Sequence, residues 1–355
     1  MASSWTFAVD RADLGRTTLA EGATPSVADG EALLRADRVG VTANNITYAV
    51  LGDAMRYWEF FPPGPRGLDA QWGLPPLWGF AEVVASKAAG VEPGQRVYGY
   101  LPPAAHLVVR PERVEASGFR DASAHRAALP SPYNAYRLTT GDPAYRAAQE
   151  ALLVLYRPLF FTSFMLADQV ADRDFYGAET ILVSSASSKT AYAAAFELYG
   201  RGPRLVGLTS TGNVEFTRSL GCYDKVVSYD DIAGLDAVPT AYLDISGAPA
   251  TRAALRAHLG DLLVRDVAVG LTNQVPNADV AEEVFFAPVQ MRKRRQDWGR
   301  DGLDQRFAEA WQRFAKAVPG WLDVRVGYGP AGLEQAWHEV LAGRTPPRVG
   351  HIVQL

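Results

Sequence analysis

The stretch TILVSSASSKTAYAAAFELYGRGPRLVGLTS, residues 180–210, decides the fold. An apolar run of strand length flows through small residues into an alanine-rich segment of helical character, and a second apolar run follows. Gly200 stands where a helix would end on a glycine free to take positive φ. Strand, tight turn, helix and strand make a βαβ unit, whose two strands lie parallel in one sheet. The alternation continues with a helix at NVEFTRSLGC, strands at KVVSY (225–229) and AYLDISG (241–247), a helix at TRAALRAHLG and a strand at DVAVGLTN (266–273). Repeated alternation predicts an α/β fold with a doubly wound parallel sheet.

The chain has a different texture upstream. EALLRADRVGVT (31–42), FAEVVAS (80–86) and QRVYGYLPPAAHLVVRP (95–111) are β-prone and punctuated by glycine and proline, which predicts a β-barrel-like domain. Residues 61–77 hold five prolines and read as a loop. EALLVLYRPLFFTSFMLADQVAD (150–172) has apolar residues at helical spacing. Downstream of the alternating region, VFFAPVQM (284–291) reads as an apolar strand, followed by the basic run 292–295 and an amphipathic helix around Phe307 to Val318. A length of 355 residues is about twice the usual domain size, so two domains are expected. A hydrophobic content of 48% against 21% charged residues is globular composition.

A net charge of -4 implies no bulk attraction to nucleic acid or anionic lipid, so neither is expected as a partner. With a single cysteine, Cys222, no intrachain disulfide or multi-cysteine zinc site can form, and a reducing, cytoplasmic setting is expected. The five histidines show no ligand spacing, and no G-x-S-x-G elbow is present. Residues 183–191, VSSASSKTA, are the most informative local feature. Such a turn sets backbone N–H groups and a helix N-terminus against phosphate. Four serines with Lys189 and Thr190 add hydroxyl and ammonium donors, although a serine-rich helix cap without ligand fits the same letters. The next strand ends in Thr209, Ser210, Thr211 and Asn213, without the acid that would hold a free ribose hydroxyl, which tilts toward NADP.

In this order the segments resemble the medium-chain dehydrogenase/reductase superfamily, in its zinc-free quinone and enoyl reductase branch. Residues 30–53 look like that family's early strand, cleft turn and helix; residues 82–100 look like its strand pair with the turn Gly94, Gln95, Arg96, Val97. The terminal GLEQAWHEVLAGRTPPRVGHIVQL looks like the closing helix and strand that return to the first domain. The resemblance implies a GroES-like β-barrel-type catalytic domain over residues 1–155, completed by 319–355, and a Rossmann domain over 156–318. Ser185, Ser188 and Ala191 depart from the family's glycines in the phosphate turn.

Carried over by position, the resemblance implies NADP(H) as cofactor. Ser185, Ser187, Ser188, Lys189 and Thr190 would contact the pyrophosphate, Ser210 and Asn213 the 2′-phosphate, and Tyr229 would close over that phosphate. Gly270, Leu271 and Thr272 would line the nicotinamide. Asn45 and Tyr48 fall on the cleft turn as candidate catalytic residues, suited to hold a carbonyl oxygen, and Asn44 is a reserve. The metal-binding cysteine of the zinc enzymes is absent there, so no zinc is expected. The implied activity is reduction of the C=C or C=O of a small apolar enone, quinone or ketone, with Tyr57, Trp58, Phe60, Phe61, Trp72 and Trp78 able to line an apolar pocket. An edge strand in VFFAPVQ suggests a homodimer. Two other readings stand beside this one: a nucleotide-binding regulatory protein without turnover, and a cofactor-independent lyase or isomerase.

Overall fold

The glycine- and proline-punctuated first third becomes antiparallel β-structure, and the alternating middle becomes a parallel sheet. The computed structural model describes residues 3–269 and 283–355, and the chain divides into two units, Met1–Leu155 with Leu322–Leu355 and Tyr156–Trp321. In the first unit, β1 (Ser3–Asp10) pairs antiparallel with β2 (Thr17–Ala23). Then come β3 (Ala32–Val41), helix α1 (Ala43–Val50), the short β4 (Trp72–Gly73) in the proline-rich loop, and β5 (Leu77–Ser86). β6 (Arg96–Leu101), β7 (His106–Val109), β8 (Pro111–Glu115), β9 (Gly118–Asp121) and β10 (Ala135–Leu138) complete this part. One edge of β3 pairs along its length with β5, while its other edge pairs with β7 through Ala32–Arg35. The sheet continues from β5 through β6 and β10 to β9 and β8.

In the second unit the parallel sheet is built by β11 (Thr180–Val183), helix α3 (Lys189–Leu198), β12 (Arg204–Thr209), α4 (Val214–Ser219) and β13 (Lys225–Ser228), preceded by the long α2 (Glu150–Asp172). β14 (Thr240–Asp244), α5 (Pro249–Leu259), β15 (Leu263–Val269), β16 (Glu283–Phe285) and α6 (Ala287–Ala317) follow. The spatial order β13-β12-β11-β14-β15-β16 is that of a doubly wound nucleotide-binding sheet. Leu182, Val206, Leu208, Val227 and Tyr242 from four neighbouring strands bury one core with Leu255 and Leu259 of α5. Each fully buried aliphatic side chain contributes about 1.5–3 kcal/mol. α2 is apolar enough in composition to cross a membrane, yet Phe160, Met165, Leu166 and Val170 are buried, and it is a core helix.

The structure departs from the sequence expectation at residues 284–291. Only Glu283–Phe285 is strand, and Ala287 opens α6 with a proline in its first turn. Proline at the start of a helix forfeits no hydrogen bond, so the aromatic run is cut short where Pro288 begins a helix. The basic run lies on α6: Lys293 and Arg294 pair with Asp172 and Asp297, and Arg294 also with Asp168. These cations brace α6 on α2. The chain then returns to the first unit as β17 (Asp323–Tyr328), α7 (Gly329–Leu341) and β18 (Val349–Gln354). β18 pairs with Arg38–Val41 of β3, on the edge that β7 leaves open.

Candidate functional site

The turn between β11 and α3 is held from three sides. Ser184 is buried; its hydroxyl donates to Asp244 Oδ1 at 3.0 Å and accepts from the N–H groups of Ile245 at 2.9 Å and Ser246 at 3.0 Å. Tyr242, Ser246 and the Gly247 N–H also donate to Asp244 Oδ1, and Arg252 Nη2 donates to its Oδ2 at 2.6 Å. Arg252 and Arg256 both reach Asp266, so two buried carboxylates meet two guanidinium groups and the charge cancels. Buried charge of this kind persists only when it is paired and hydrogen-bonded, which fixes the loop after β14 against the turn. From the loop before β13, Tyr223 Oη donates to the Ala186 carbonyl at 3.0 Å, and the Ala186 N–H donates to the Leu208 carbonyl of β12. Gly207 permits this approach, since a Cβ there would stand 2.9 Å from that of Ala186 and 3.0 Å from the Tyr223 ring.

Ser185 adopts φ +49°, the left-handed region natural to glycine, and its N–H donates to Tyr229 Oη at 2.7 Å. This is one of the positions where the resemblance leads one to expect glycine. A non-glycine residue held there stores about 1 kcal/mol or more. Ser185→Gly is therefore expected to raise stability by about 1 kcal/mol, seen as a higher urea midpoint; a lowered midpoint would contradict the strain. Ser188 caps α3 by accepting from the Ala191 N–H at 3.3 Å, and Ser187 accepts from Thr209 Oγ1 at 3.2 Å. Among the described residues the N–H groups of Ser187 and Thr190 find no acceptor. Burial pushes the Lys189 ammonium down to about 8, so it remains mostly charged at neutral pH. Two free N–H donors and a cation at the start of a ten-residue helix are the chemistry that holds a phosphate.

Ser210 is exposed on the turn after β12, and the Asn213 carbonyl accepts from Thr217 Oγ1 at 2.7 Å. Tyr229 Oη accepts from the Ser185 N–H and keeps its own O–H for donation. Gly270, Leu271 and Thr272 lie outside the described residues.

In the first unit, α1 carries Asn44, Asn45 and Tyr48. Asn45 is buried and engaged: its Oδ1 accepts from the Thr42 N–H at 2.7 Å, closing a capping box at the start of α1, and its Nδ2 donates to the Pro76 carbonyl at 2.9 Å. Its side chain shapes the turn. Tyr48 Oη accepts from Asn44 Nδ2 at 2.6 Å and from Trp78 Nε1 at 3.1 Å. With both acceptor positions filled, the phenol keeps its proton for donation. Burial pushes the Tyr48 phenol well above its ordinary range, only partly offset by the Trp78 and Asn44 bonds, so the proton stays on Oη.

Around Tyr48 stands an aromatic cluster that sequence reading found only in part. Ring centroids lie 4.6 Å from Tyr48 to Tyr57, 5.5 Å from Tyr48 to Tyr100, and 4.9 Å from Tyr100 to both Tyr133 and Trp78. The Tyr100 hydroxyl is fully buried and has no hydrogen-bond partner among the described residues. Arg126, itself completely buried, locks the segment behind the cluster by donating to the Tyr133 carbonyl at 2.6 Å, Tyr136 Oη at 2.8 Å, Asn134 Oδ1 at 2.9 Å and Asp121 at 3.0 Å. Tyr100 and Tyr133 come from segments far from α1 in sequence. Among the described residues no group of three or more His, Cys, Asp and Glu side chains is arranged to hold a metal.

A family model described as a protein of unknown function, DUF2855, matches residues 39–346. The chain belongs to that family. No curated protein matches it. Among solved structures, CurA of Vibrio vulnificus in complex with NADPH is similar over 99% of this chain and 98% of its own, with 13% identity and a TM-score of 0.65. A putative NADPH:quinone reductase of Mesorhizobium loti is similar over 100% and 99%, with 13% identity and a TM-score of 0.62. The CurF ER cyclopropanase of the curacin A biosynthetic pathway is similar over 99% of both chains, with 14% identity and a TM-score of 0.59. This DUF2855 chain thus has the two-domain fold of the medium-chain quinone and enoyl reductases, over its full length.

Proposed function

We propose that this DUF2855 protein is a cytoplasmic, NADPH-dependent, zinc-independent oxidoreductase that reduces the C=C or C=O of a small apolar enone, quinone or ketone. The fold it shares with reductases supports the class. The observation that carries the reading on this chain is the turn at the start of α3, where the Ser187 and Thr190 N–H groups find no acceptor among the described residues and Lys189 opens the helix. These groups fit a dinucleotide's pyrophosphate, and the missing Cβ of Gly207 lets the turn seat against β12. NADPH, when bound, supplies a hydride. The chain's own part is to bind, to orient and to stabilise charge. Tyr48 donates its O–H to the substrate oxygen, where negative charge develops; because the phenol holds its proton tightly, it acts as a hydrogen-bond donor and solvent supplies the final proton. The rings of Tyr57, Tyr100, Tyr133 and Trp78 clustered about Tyr48 suit flat, unsaturated substrates.

A second reading, nucleotide binding without turnover, draws on one observation: the Ser185 N–H, at a position where the resemblance leads one to expect glycine, is already taken by Tyr229. NADPH oxidation followed by absorbance against a panel of benzoquinones and cyclic enones separates the two. Saturable oxidation by any of them supports the reductase; stoichiometric binding with no oxidation across the panel supports the binding protein.

A further inference from the structure

The loops that follow β12 and β13 bring a carboxylate to the ribose end of the nucleotide turn. The parallel register sets Thr209 beside Ser228, so two residues further along each chain Thr211 meets Asp230. Thr211 Oγ1 donates to Asp230 Oδ2 at 2.6 Å and lies 2.8 Å from Ser228 Oγ, and the Asp230 N–H donates to Ser228 Oγ at 3.2 Å. Thr211, Ser228 and Asp230 are thus one another's partners, and among the described residues no lysine or arginine bonds to any of them, to Ser210 or to the Asn213 side chain. In a doubly wound nucleotide site the end of the second strand is where the adenosine ribose is read: a carboxylate there accepts from free hydroxyls, while a 2′-phosphate asks for cations. The acid missing from residues 209–213 stands instead in the segment that follows the neighbouring strand.

We propose that Asp230 is a specificity-determining residue that weakens binding of a 2′-phosphorylated nucleotide and so lets NADH compete with NADPH. This rests on the proposed nucleotide site and sharpens it: the pyrophosphate end provides affinity common to both cofactors, and the carboxylate at the Thr211–Ser228–Asp230 end narrows the preference for a 2′-phosphate over a 2′-hydroxyl. Two like charges held within a few ångströms near a surface repel enough to change affinity by about tenfold.

The test is calorimetric titration of the full chain and of Asp230→Asn and Asp230→Lys with NADPH, NADH, 2′,5′-ADP and 5′-AMP, with thermal unfolding of each variant as a folding control. Asp230→Asn is expected to tighten NADPH and 2′,5′-ADP about tenfold and Asp230→Lys further, while NADH and 5′-AMP change less than about threefold. Folded variants whose NADPH to NADH affinity ratio matches that of the unaltered chain would overturn the role of Asp230 and leave the nucleotide site standing. An unaltered chain that binds none of the four would overturn both.

Discussion

Tyr48→Phe is expected to lower kcat for enone or quinone reduction by about a hundredfold or more, the usual cost of removing one donor from a developing oxyanion. The substitution deletes one oxygen and leaves the ring, so the packing against Tyr57 and Tyr100 at 4.6 and 5.5 Å is kept. It also leaves the N–H groups of Asn44 and Trp78 without their acceptor, at a cost of about 1–3 kcal/mol in stability, which makes a thermal-unfolding control part of the measurement. Because Tyr48 belongs to the first unit and the phosphate turn to the second, NADPH affinity should move less than about twofold while kcat collapses. A variant that stays folded and turns over at the unaltered rate would withdraw Tyr48 from the chemistry. The orphaned hydroxyl of Tyr100 would then be the next donor to replace.

Lys189→Ala is expected to weaken NADPH binding by about ten- to a hundredfold, the range for losing one charge-assisted hydrogen bond to phosphate. The same residue sets a pH dependence whose sign follows from its depressed pKa. In the free protein the ammonium is charged below about pH 8 and neutral above it. A bound phosphate favours the charged form, so the pKa is higher in the complex and affinity falls as pH rises from about 8, by up to tenfold per pH unit until the pKa of the complex is reached. Titrations from pH 7 to 9.5 should show this fall in the unaltered chain and a flat profile in Lys189→Ala. A slope that persists in the variant would assign the dependence to another group.

Much of the fold was legible because its signals are local. The apolar strands at 180–183 and 204–209 and the alanine-rich helix between them lie within thirty residues, and their periodicity fixes a parallel pair whatever surrounds them. The α6 boundary was harder, because Val284, Phe285 and Phe286 carry strand propensity while Pro288, two residues beyond Phe286, suits the first turn of a helix; the two local signals oppose each other and only packing decides. The candidate site divides the same way. Ser185 through Thr190 were visible as donors on one turn, but the positive φ of Ser185 and its bond to Tyr229 depend on a residue 44 positions away. Asn45 and Tyr48 are three residues apart and looked equally suited to hold a carbonyl. What separates them is partly long-range: Pro76, with the nearby Thr42, occupies the amide, whereas Trp78, with the nearby Asn44, leaves the phenol its proton. Tyr100, Tyr133 and Asp230 were out of reach because strand register and loop packing, which a single sequence does not display, bring them into place.

The expectations on binding and turnover depend on a dinucleotide seated at the start of α3. Titrating the purified chain with NADPH while following nicotinamide emission, with 2′,5′-ADP as competitor, tests this most directly. The account predicts saturable binding of one NADPH per chain that the competitor reverses and that Lys189→Ala weakens. An emission that never departs from that of free NADPH, with NADH equally silent, would contradict it and leave the reductase fold without its cofactor.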